Sequence, residues 1–537
     1  MTLVSTRRAG VLVPLFSIPS SSSWGIGEIG DVARLARWLE IAGLRVLQLL
    51  PINEIAPGDT SPYSALSAMA TDPQFISLDR LEDVAALGGE AQLEADARER
   101  LDAARRSPIV DYATVRGLKA HVLRRAFAHF YDTEWFGGTH RSAALRTYIH
   151  DQGWWLDDYA IFRALHARLR ERPWTEWPEA LRTRQPDALT AAREDLAEEV
   201  LYRQYLQWIA DDQWAAARRD ASSVALFGDL PFMVSRDSAD VWAHQDEFRL
   251  DASVGVPPDA FSPSGQDWGL PVYRWDVLGA RDFDWLRERA RRMAALFDGY
   301  RVDHLVGFYR TYFRPHDGAK PAFTPPDELA QTRLGERVLE VWRESGAEIV
   351  AEDLGTIPDF VRESLARIGV AGYKVLRWER DWHREGQPFK DPRDYPAVAV
   401  ATSGTHDTET MAVWWEQASR AEREAVLAIP SVAAQLDPDD RGRAIDRAGL
   451  TDALRAALLD TLFASGANLL IVPIQDVFGS RDRINQPATV GPSNWTWRLP
   501  WPSDRLATEP VAMAVARQIR EWTTKYDRQV EKWKPLR

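Results

Sequence analysis

The sequence contains no cysteine, and this absence excludes several kinds of functional site. Disulfide bonds, zinc centres with thiolate ligands and cysteine nucleophiles all need the missing side chain. The chain also contains no apolar run near the roughly 18 residues that would span a membrane. We therefore expect a cytoplasmic protein with no membrane partner.

Positive charge is also scarce, since 66 Lys and Arg residues stand against 79 Asp and Glu residues. The net charge of -13 argues against a nucleic-acid backbone or an anionic membrane as the main partner, because both attract excess cations. Tryptophan, in contrast, is abundant, with 23 residues. Many will be core, but the flat apolar face of a loop Trp stacks well against a sugar ring, so a neutral ligand fits this composition.

The N-terminal apolar run has two interpretations. Arg7 and Arg8 precede Ala9 to Phe16, an order that resembles a short export signal. The run is short, contains Pro14 and lacks a small-residue cleavage site before Ser20. We interpret it as the first buried strand.

Short apolar segments recur along the chain, and each closes on polar or charged residues. They are Gly10 to Phe16, Val46 to Ile52, Val224 to Phe227, Tyr300 to Val302, Glu348 to Ala351, Lys374 to Leu376, Val398 to Thr402 and Leu469 to Ile474. Helical patterns between them cover Asp31 to Ala42, Asp284 to Leu296, Asp327 to Glu344, Pro358 to Ile368 and Thr451 to Ser465. Apolar runs without alternation indicate strands buried on both faces of a parallel sheet. Eight such units predict an α/β fold, a (β/α)₈ TIM barrel with its active site at the carboxyl ends of the strands.

Uneven spacing of the strands predicts helical subdomains inserted between them. We assign residues 1–79 and 220–537 to a catalytic barrel and residues 80–219, rich in charge and Trp, to a mainly helical subdomain. Residues 417–450 form a second, smaller helical insertion, with Ile429-Pro430 as one of its turn signals.

Three acidic residues follow strands four, five and seven of the predicted barrel. Arg301 and Asp303 share a face of strand four, so the guanidinium would keep the carboxylate ionised, although an ordinary strand-end ion pair looks the same. After strand five only one of Glu352 and Asp353 can face the barrel axis, and we choose Glu352 as a proton donor with a raised pKa. Asp407 follows strand seven.

Like charges gathered at one rim repel each other, so structural pairing explains this arrangement poorly. Cleavage of a glycosidic bond explains it better, because positive charge develops on the sugar in the transition state. One carboxylate attacks the anomeric carbon, another carboxyl group protonates the leaving oxygen, and the sugar stays covalently held until an acceptor takes it.

Other interpretations of local motifs were weighed. Gly25 to Gly30 formally matches a dinucleotide fingerprint, but it stands too far from the preceding strand and would set Glu28 beside the phosphates. His304 and His406 adjoin acids and could bind a metal, yet they serve better as neutral hydrogen-bond donors to sugar hydroxyls. Tyr63, in a loop beyond strand two, can contact a ligand or merely pin its own loop.

Several blocks together resemble the amylomaltases, which are 4-α-glucanotransferases, or disproportionating enzymes, related to the α-amylase barrels. The blocks are SSWGIGEIGD from Ser22, SPYS from Ser61, FGDLPFMVSRDSADVW from Phe227, VGVPPDAFSPSGQDWGLPVY from Val254, YRVDH from Tyr300, VAEDLG from Val350, GTHD from Gly404 and PIQD from Pro473. They span nearly the whole chain in the family's order.

The resemblance implies retaining double displacement on α-1,4-glucans and malto-oligosaccharides as donor and acceptor, without a metal or other cofactor. It implies Asp303 as nucleophile, Glu352 as acid/base and Asp407 as transition-state stabiliser. Residues implied to bind or support the substrate are Tyr63, Asp229, Asp237, Gln266, Trp268, Arg301, His304, His406 and Asn485.

The chain departs from the family in two places. Ala260 stands where the family commonly has a Tyr in a lid over the groove, and the segment from Ile484 to Pro487 is looser than the usual pattern. These departures bear on chain-length preference and on the ratio of transfer to hydrolysis. The alternatives are an α-1,4-glucan hydrolase with the same carboxylates and a non-catalytic glucan-binding barrel.

Overall fold

Eight parallel strands form a closed barrel in the computed structural model, which describes residues 6–258, 265–446, 449–487, 489 and 491–529. We label the strands β1 to β8 in chain order, and β8 pairs with β1 to close the barrel. They are Arg8–Leu12, Val46–Gln48, Ala225–Leu230, Gly299–Val302, Glu348–Ala351, Ala371–Val375, Ala399–Thr402 and Leu469–Pro473. The predicted (β/α)₈ fold is confirmed, and all eight predicted segments contribute a strand.

Four predicted strand boundaries were wrong by three or four residues. β2 ends at Gln48 instead of Ile52, and β3 ends at Leu230 instead of Phe227. The other two have local reasons. β1 ends at Leu12 instead of Phe16, because Pro14 has no N–H for the ladder and a 3₁₀ turn follows at Leu15–Ser17. β6 begins at Ala371, earlier than the predicted Lys374. Its start includes Gly372, a poor strand former, where a Cβ would lie 2.5 Å from the Asp353 Oδ2 atom.

Amphipathic helices cover the outside of the barrel. They are Ile29–Ala42, Asp284–Leu296, Glu328–Arg343, Asp359–Ile368, Asp452–Phe463 and Pro510–Lys525. The first five lie within two residues of the predicted ranges, whereas Pro510–Lys525 was not predicted. The last helix packs on the first, and the Trp38 Nε1–H donates to the Ala512 carbonyl at 3.2 Å.

The chain between β2 and β3 is helical. Its helices are Glu82–Ala86, Ala95–Arg106, Tyr112–Phe130, His140–Arg168, Glu179–Arg182, Pro186–Asp195 and Ala197–Asp220. Further helices after β7 are Met411–Gln417, Arg420–Leu427, Pro430–Ala433 and Pro438–Asp446. These helices fall where insertions are expected, while the predicted domain boundaries themselves stay predictions.

Short antiparallel strands follow β3 and β4 and hold the region of the predicted lid. They are Phe248–Arg249, Ala252–Val256, Gln266–Asp267, Val272–Tyr273, Thr311–Pro315 and Ala322–Thr324, with short helices at Ala239–Ala243, Trp275–Ala280 and Val306–Tyr309. A further short helix, Ile474–Phe478, directly follows β8. Gln266 pairs with Val256, so one side of the lid is anchored to this sheet. Ala260 lies outside the described residues.

The amino ends of the barrel strands are closed by a buried ion pair. The Arg8 Nη2 atom on β1 lies 2.7 Å from the Glu348 Oε2 atom on β5, and both side chains are almost fully buried. The carboxyl ends are where polar side chains accumulate. Access to the barrel is therefore from the carboxyl end.

The Gly25 to Gly30 segment does not offer a phosphate site. Glu28 and Asp31 form a capping box at the start of helix Ile29–Ala42, so the protein's own carboxylates occupy that helix terminus. Glu28 is buried and forms an ion pair with Lys119 at 2.7 Å. The dinucleotide interpretation is therefore wrong.

The described helices include none with the length and apolarity needed to cross a bilayer.

Candidate active site

Arg301 gathers three carboxylates at the carboxyl ends of β3, β4 and β5. Its Nη1 atom donates to both oxygens of Asp229 at 2.9 and 2.8 Å, and its Nη2 atom lies 2.7 Å from the Asp303 Oδ1 atom. The same Nη2 atom lies 3.9 Å from the Glu352 Oε2 atom. Arg301 and Asp229 are buried, whereas 27% of the Asp303 side chain is exposed. Asp303 can therefore meet a ligand from the open end of the barrel.

Glu352 is held by backbone donors and has a raised pKa. The N–H groups of His304 and Leu354 donate to its two oxygens at 2.8 and 2.9 Å. Burial raises the pKa of Glu352 to about 7, with Arg301 opposing the rise and Asp303 adding to it. Asp353 turns away and accepts from the Tyr373 N–H at 2.7 Å. Glu352 can therefore exchange a proton near neutral pH.

The pKa of Asp407 is lowered, in contrast to that of Glu352. Burial opposes its ionisation, but His406 and a 2.6 Å hydrogen bond from the Asn485 amide lower the pKa of Asp407 well below its usual range. The His406 Nε2 atom lies 3.3 Å from the Asp407 Oδ2 atom. Because 42% of the Asp407 side chain is exposed, a permanent negative charge faces the open rim.

Tyr63 joins this group from the loop after β2. Its hydroxyl donates to the Asp229 Oδ2 atom at 2.7 Å and lies 3.1 Å from the His406 Nε2 atom. The Tyr63 and His406 rings stack, with centroids 5.4 Å apart and planes at 21°. Burial and the carboxylate of Asp229 raise the pKa of Tyr63, so the hydroxyl keeps its proton. Tyr63 thus does more than pin its own loop.

The pKa values of the two site histidines shift in opposite directions. Burial lowers the pKa of His304 to about 4, so its ring is neutral at pH 7 as the sequence predicts. For His406, burial favours the neutral ring, but the neighbouring Asp407 outweighs it and raises the pKa. His304 can donate to a neutral hydroxyl, whereas the His406 Nε2 atom faces Asp407 and Tyr63.

Trp268 reaches the site from the lid side. Its ring meets the His304 ring edge to face, with centroids 4.8 Å apart. The Trp268 Nε1–H donates to the Gln266 Oε1 atom at 3.1 Å. His304 itself has a left-handed backbone, with φ of 43°, and contacts Phe232 on its other side. Gln266 and Trp268 therefore border the same opening as the acids.

Asp237 is the predicted site residue whose described contacts lie elsewhere. It accepts from the His166 Nε2 atom at 3.0 Å and from the Trp174 N–H at 2.9 Å. Both partners belong to the helical region between β2 and β3. These contacts favour a role in holding the β3 loop over direct contact with a ligand.

Two residues near Asp407 were missed by the sequence analysis. Trp495 packs against both Tyr63 and His406 with ring centroids 5.8 Å apart, and Arg483 donates to the Asp407 carbonyl at 2.7 Å. Trp495 has a left-handed backbone, with φ of 63°, which is rare for a bulky residue and invisible in a sequence pattern.

Two exposed tryptophans on the loop after β6 were also missed. Trp378 is 46% exposed and Trp382 is 59% exposed. The loop folds back on itself, because the Asp381 N–H donates to the Pro388 carbonyl at 2.9 Å. Loop tryptophans beside Asp, Gly and Pro are the type that composition marks as ligand candidates, so this signal was available.

No group of three or more His, Asp or Glu side chains in the described ranges has the arrangement of a metal site. The groups that lie at the rim are carboxylates, one guanidinium, imidazoles and aromatic rings. Glu352 exchanges a proton near neutral pH, Asp407 stays ionised, and Asp303 forms an ion pair with Arg301. This combination can stabilise positive charge on a ligand and move a proton.

Comparison with known proteins gives a consistent result. The model of the Glyco_hydro_77 family, described as 4-alpha-glucanotransferase, matches residues 13–504. A 4-alpha-glucanotransferase of Chlamydia pneumoniae is 31% identical over 505 residues, covering 92% of this chain and 92% of the relative. One from Thermus thermophilus is 34% identical over 510 residues, covering 92% of this chain and 95% of the relative.

Solved structures agree on the fold. An amylomaltase from Streptococcus agalactiae in complex with acarbose superposes with a TM-score of 0.81 at 26% identity, covering 97% of this chain and 99% of that one. An amylomaltase from Corynebacterium glutamicum gives a TM-score of 0.80 at 24% identity, covering 96% of this chain and 76% of that one.

Proposed function

The chain belongs to the 4-alpha-glucanotransferase family, and on that premise we propose roles for the residues of its site. It is an enzyme of glycosyl transfer. Asp303 is the nucleophile, Glu352 the general acid and base, and Asp407 stabilises the charge that develops on the sugar. The observation that carries this assignment is the Arg301 Nη2 atom, which lies beside both the Asp303 and the Glu352 carboxylates.

In the first half of the reaction, the Asp303 carboxylate attacks the anomeric carbon of a donor α-1,4-glucan. The bond to the leaving oxygen breaks, and Glu352 gives that oxygen its proton. The raised pKa of Glu352 supplies the protonated form, and the lowered pKa of Asp407 keeps a negative charge beside the oxocarbenium-like sugar. The products are a glycosyl ester on Asp303 and a shortened glucan.

In the second half, the 4-hydroxyl of an acceptor glucan replaces the leaving group. Glu352, now ionised, takes the hydroxyl proton while the oxygen attacks the anomeric carbon and the ester bond to Asp303 breaks. Two inversions give net retention. Water in place of the acceptor would give hydrolysis, so the ratio of transfer to hydrolysis depends on how well a sugar competes for the ester.

The spacing of the two carboxyl groups supports retention. Retaining enzymes hold them about 5 to 5.5 Å apart, and inverting enzymes hold them about 6.5 to 9.5 Å apart. The Arg301 Nη2 atom lies 2.7 Å from Asp303 Oδ1 and 3.9 Å from Glu352 Oε2. The distance between these two oxygens therefore cannot exceed the sum of those two distances. A separation of about 9 Å, with room for an attacking water, is excluded for these oxygens.

The substrates we propose are α-1,4-glucans and malto-oligosaccharides, as donor and as acceptor. Polar side chains at the rim would hold sugar hydroxyls, and aromatic faces would stack on sugar rings. The residues proposed to bind or orient the glucan are Tyr63, Asp229, Gln266, Trp268, Arg301, His304, His406 and Asn485. Trp378 and Trp382 add two exposed aromatic faces on the loop that follows β6, and we propose that a longer glucan stacks on them.

Product analysis from pure maltotriose tests this function against its alternatives. A ladder of longer oligosaccharides together with glucose is the expected result of transfer. Glucose and maltose alone would instead support the hydrolase. The Asp303→Asn variant should lose nearly all turnover, and turnover equal to that of the parent would contradict the nucleophile assignment. Glucan binding by the parent with no product of either kind would instead support the non-catalytic barrel.

The cellular location and the domain boundaries stay predictions from the sequence. The cytoplasmic location rests on composition, and the division into a barrel at residues 1–79 and 220–537 with helical insertions at 80–219 and 417–450 rests on strand spacing.

A further inference from the structure

Five charged side chains form a cluster between the barrel and the helix His140–Arg168. We call it the His166 cluster, and its members are Glu54, Arg163, His166, Glu171 and Asp237. Arg163 donates to Glu54 at 3.0 Å and to Glu171 at 3.1 Å. His166 contacts Glu171 with its Nδ1 atom at 2.5 Å and Asp237 with its Nε2 atom at 3.0 Å.

The geometry sets the charge of His166. A neutral imidazole carries one N–H and can donate only one hydrogen bond, while its other nitrogen is an acceptor. Both ring nitrogens of His166 face carboxylate oxygens, which accept and cannot donate when ionised. The Arg163 Nη1 atom also lies 3.3 Å from His166 Nδ1, but the Glu171 oxygen is nearer, at 2.5 Å. The imidazolium is therefore the form that satisfies both carboxylate contacts. His166 is buried, with 2% of its side chain exposed, so water does not replace either partner.

The cluster joins two loops that carry site residues. Glu54 begins the loop after β2, which leads to Tyr63, and the Tyr159 hydroxyl also donates to Glu54. Asp237 ends the loop after β3, in which Phe232 packs against the His304 ring with centroids 5.5 Å apart. The helix that carries Arg163 and His166 is therefore connected to both sides of the candidate active site.

We propose that His166 is a positioning residue, whose imidazolium holds the β3 loop against the helical region and thereby fixes Phe232 and His304 at the sugar site. The link to glycosyl transfer rests on the proposed function, but the fixing of the loop does not. His166 itself touches neither the three carboxylates nor the opening between them among its described contacts. The role of Asp237 is then to receive this hydrogen bond.

The charges around His166 determine how pH acts on the cluster. Arg163 opposes a second positive charge, and Glu54, Glu171 and Asp237 favour it. Phe162 and Trp177 pack on the ring and add no charge. Burial lowers the pKa of His166, but the hydrogen bonds to Asp237 and Glu171 outweigh it and raise the pKa above the ordinary value.

A raised pKa in the folded state fixes the direction of the effect. The stabilisation by the imidazolium is fully present below about pH 6.5, the unfolded value, and is lost as the pH rises through the higher folded value. We therefore expect the β3 loop to loosen at alkaline pH, before the barrel itself unfolds.

Hydrogen exchange read by mass spectrometry tests the proposal without relying on activity. In the parent, after correction for intrinsic rates, protection of residues 231–243 should fall as the pH rises above about 6.5 and through the higher folded pKa of His166, while helix Pro510–Lys525 keeps its protection. In His166→Gln, which keeps one donor but no charge, these residues should exchange on the order of tenfold faster at about pH 7.

A matched control is His129→Gln. His129 also pairs with a carboxylate, at 3.0 Å from the Asp83 Oδ1 atom, but its contacts lie within the helical region. It should leave exchange of residues 231–243 and transfer activity unchanged. Equal effects of His129→Gln and His166→Gln would overturn the proposal, as would unchanged protection in His166→Gln.

A second variant covers the case in which His166→Gln does not fold. Glu171 is 35% exposed, so Glu171→Gln removes one carboxylate partner with less disturbance. The pKa of His166 should fall, and the loss of protection in residues 231–243 should begin at lower pH than in the parent. An unshifted pH dependence would contradict the imidazolium bridge. A shifted pH dependence with unchanged transfer would support the fixing of the loop and contradict its link to glycosyl transfer.

Discussion

At the residue scale, the site divides its work by giving chemically similar carboxyl groups different surroundings. Glu352 is buried beside Asp303 and accepts two backbone hydrogen bonds, whereas Asp407 accepts from Asn485 and lies beside His406. The pKa of Glu352 rises to about 7 and that of Asp407 falls. A proton donor and a permanent anion are thereby available at the same pH.

The substitution Glu352→Gln removes the acidic proton of the side chain and keeps its carbonyl oxygen. In Glu352→Gln we expect transfer between malto-oligosaccharides to fall by about 10² to 10⁴, because the leaving oxygen is no longer protonated. Attack on α-maltosyl fluoride should be spared, since fluoride leaves without a proton. Asp353→Asn is the matched control, because an amide oxygen can still accept from the Tyr373 N–H. A similar loss in both variants would argue against the assignment.

The pH dependence follows from the same group. Because Glu352 must be protonated to act first, kcat/KM for maltotriose should fall as the pH rises through about 7. Initial rates measured at constant ionic strength between about pH 5 and pH 9 check this. With α-maltosyl fluoride as donor, the alkaline fall should disappear from the first step. A rate for maltotriose that stays flat to about pH 9 would be incompatible with Glu352 as the acid.

At the element scale, most barrel strands could be predicted because they are buried on both faces and appear in the sequence as apolar runs. The exception is β6, in which buried and partly exposed residues alternate. The acids at the strand ends could be predicted for the same reason, since a charged residue ends each apolar run. Contacts between segments far apart in the sequence could not be predicted. Asp237 is 71 residues from His166, and no local pattern reports that pair. The left-handed Trp495 and the helix Pro510–Lys525 were missed because their roles depend on packing.

The loop after β6 supports a prediction about glucan length. Trp382→Ala should raise KM for long glucans several-fold and leave kcat/KM for maltotriose within about twofold. Stacking on an exposed aromatic face is worth about 1 kcal/mol, and we propose that only longer glucans extend to this face. Phe136→Ala is the control, since Phe136 is 73% exposed within the helical region. A uniform change for both substrates would speak against an outer stacking surface.

The connection between the first barrel helix and helix Tyr112–Phe130 depends on a buried ion pair. Lys119 lies 2.7 Å from Glu28 and also donates to two backbone carbonyls. Lys119→Met should lower the free energy of unfolding by about 3 to 5 kcal/mol at alkaline pH, because it leaves a buried charge without a partner. Denaturant titration against the parent measures this change.

Glu28 determines how the loss of unfolding free energy in Lys119→Met depends on pH. Burial raises the pKa of Glu28 to about 7, with Lys119 opposing the rise, so without Lys119 the carboxyl group takes up a proton more readily. The penalty in Lys119→Met should therefore shrink as the pH falls from the alkaline range toward about 7, and it should stay constant at lower pH, where Glu28 is protonated in both proteins. Lys390→Met, at a 49% exposed side chain, should change stability by less than about 0.5 kcal/mol. A penalty independent of pH would refute a charged Glu28.

At the scale of the whole molecule, the barrel brings together residues that are far apart in the chain. Tyr63, Asp229, Asp303, Glu352 and Asp407 come from five different strand ends and meet around one guanidinium and one imidazole. The helical region after β2 contacts two of these loops, so it contributes to the site without supplying an acid. Fold and site are therefore coupled through the loops at the carboxyl end of the barrel.

The most direct test of the account is to trap the covalent intermediate. Glu352→Gln incubated with α-maltosyl fluoride should form the glycosyl ester, because Asp303 displaces fluoride, and should then retain it, because no base activates the acceptor. Mass spectrometry of the intact chain and of its peptides locates the added maltosyl group. The account predicts the adduct on Asp303. An adduct on Asp407 or elsewhere, or fluoride release with no adduct at any time, would contradict it.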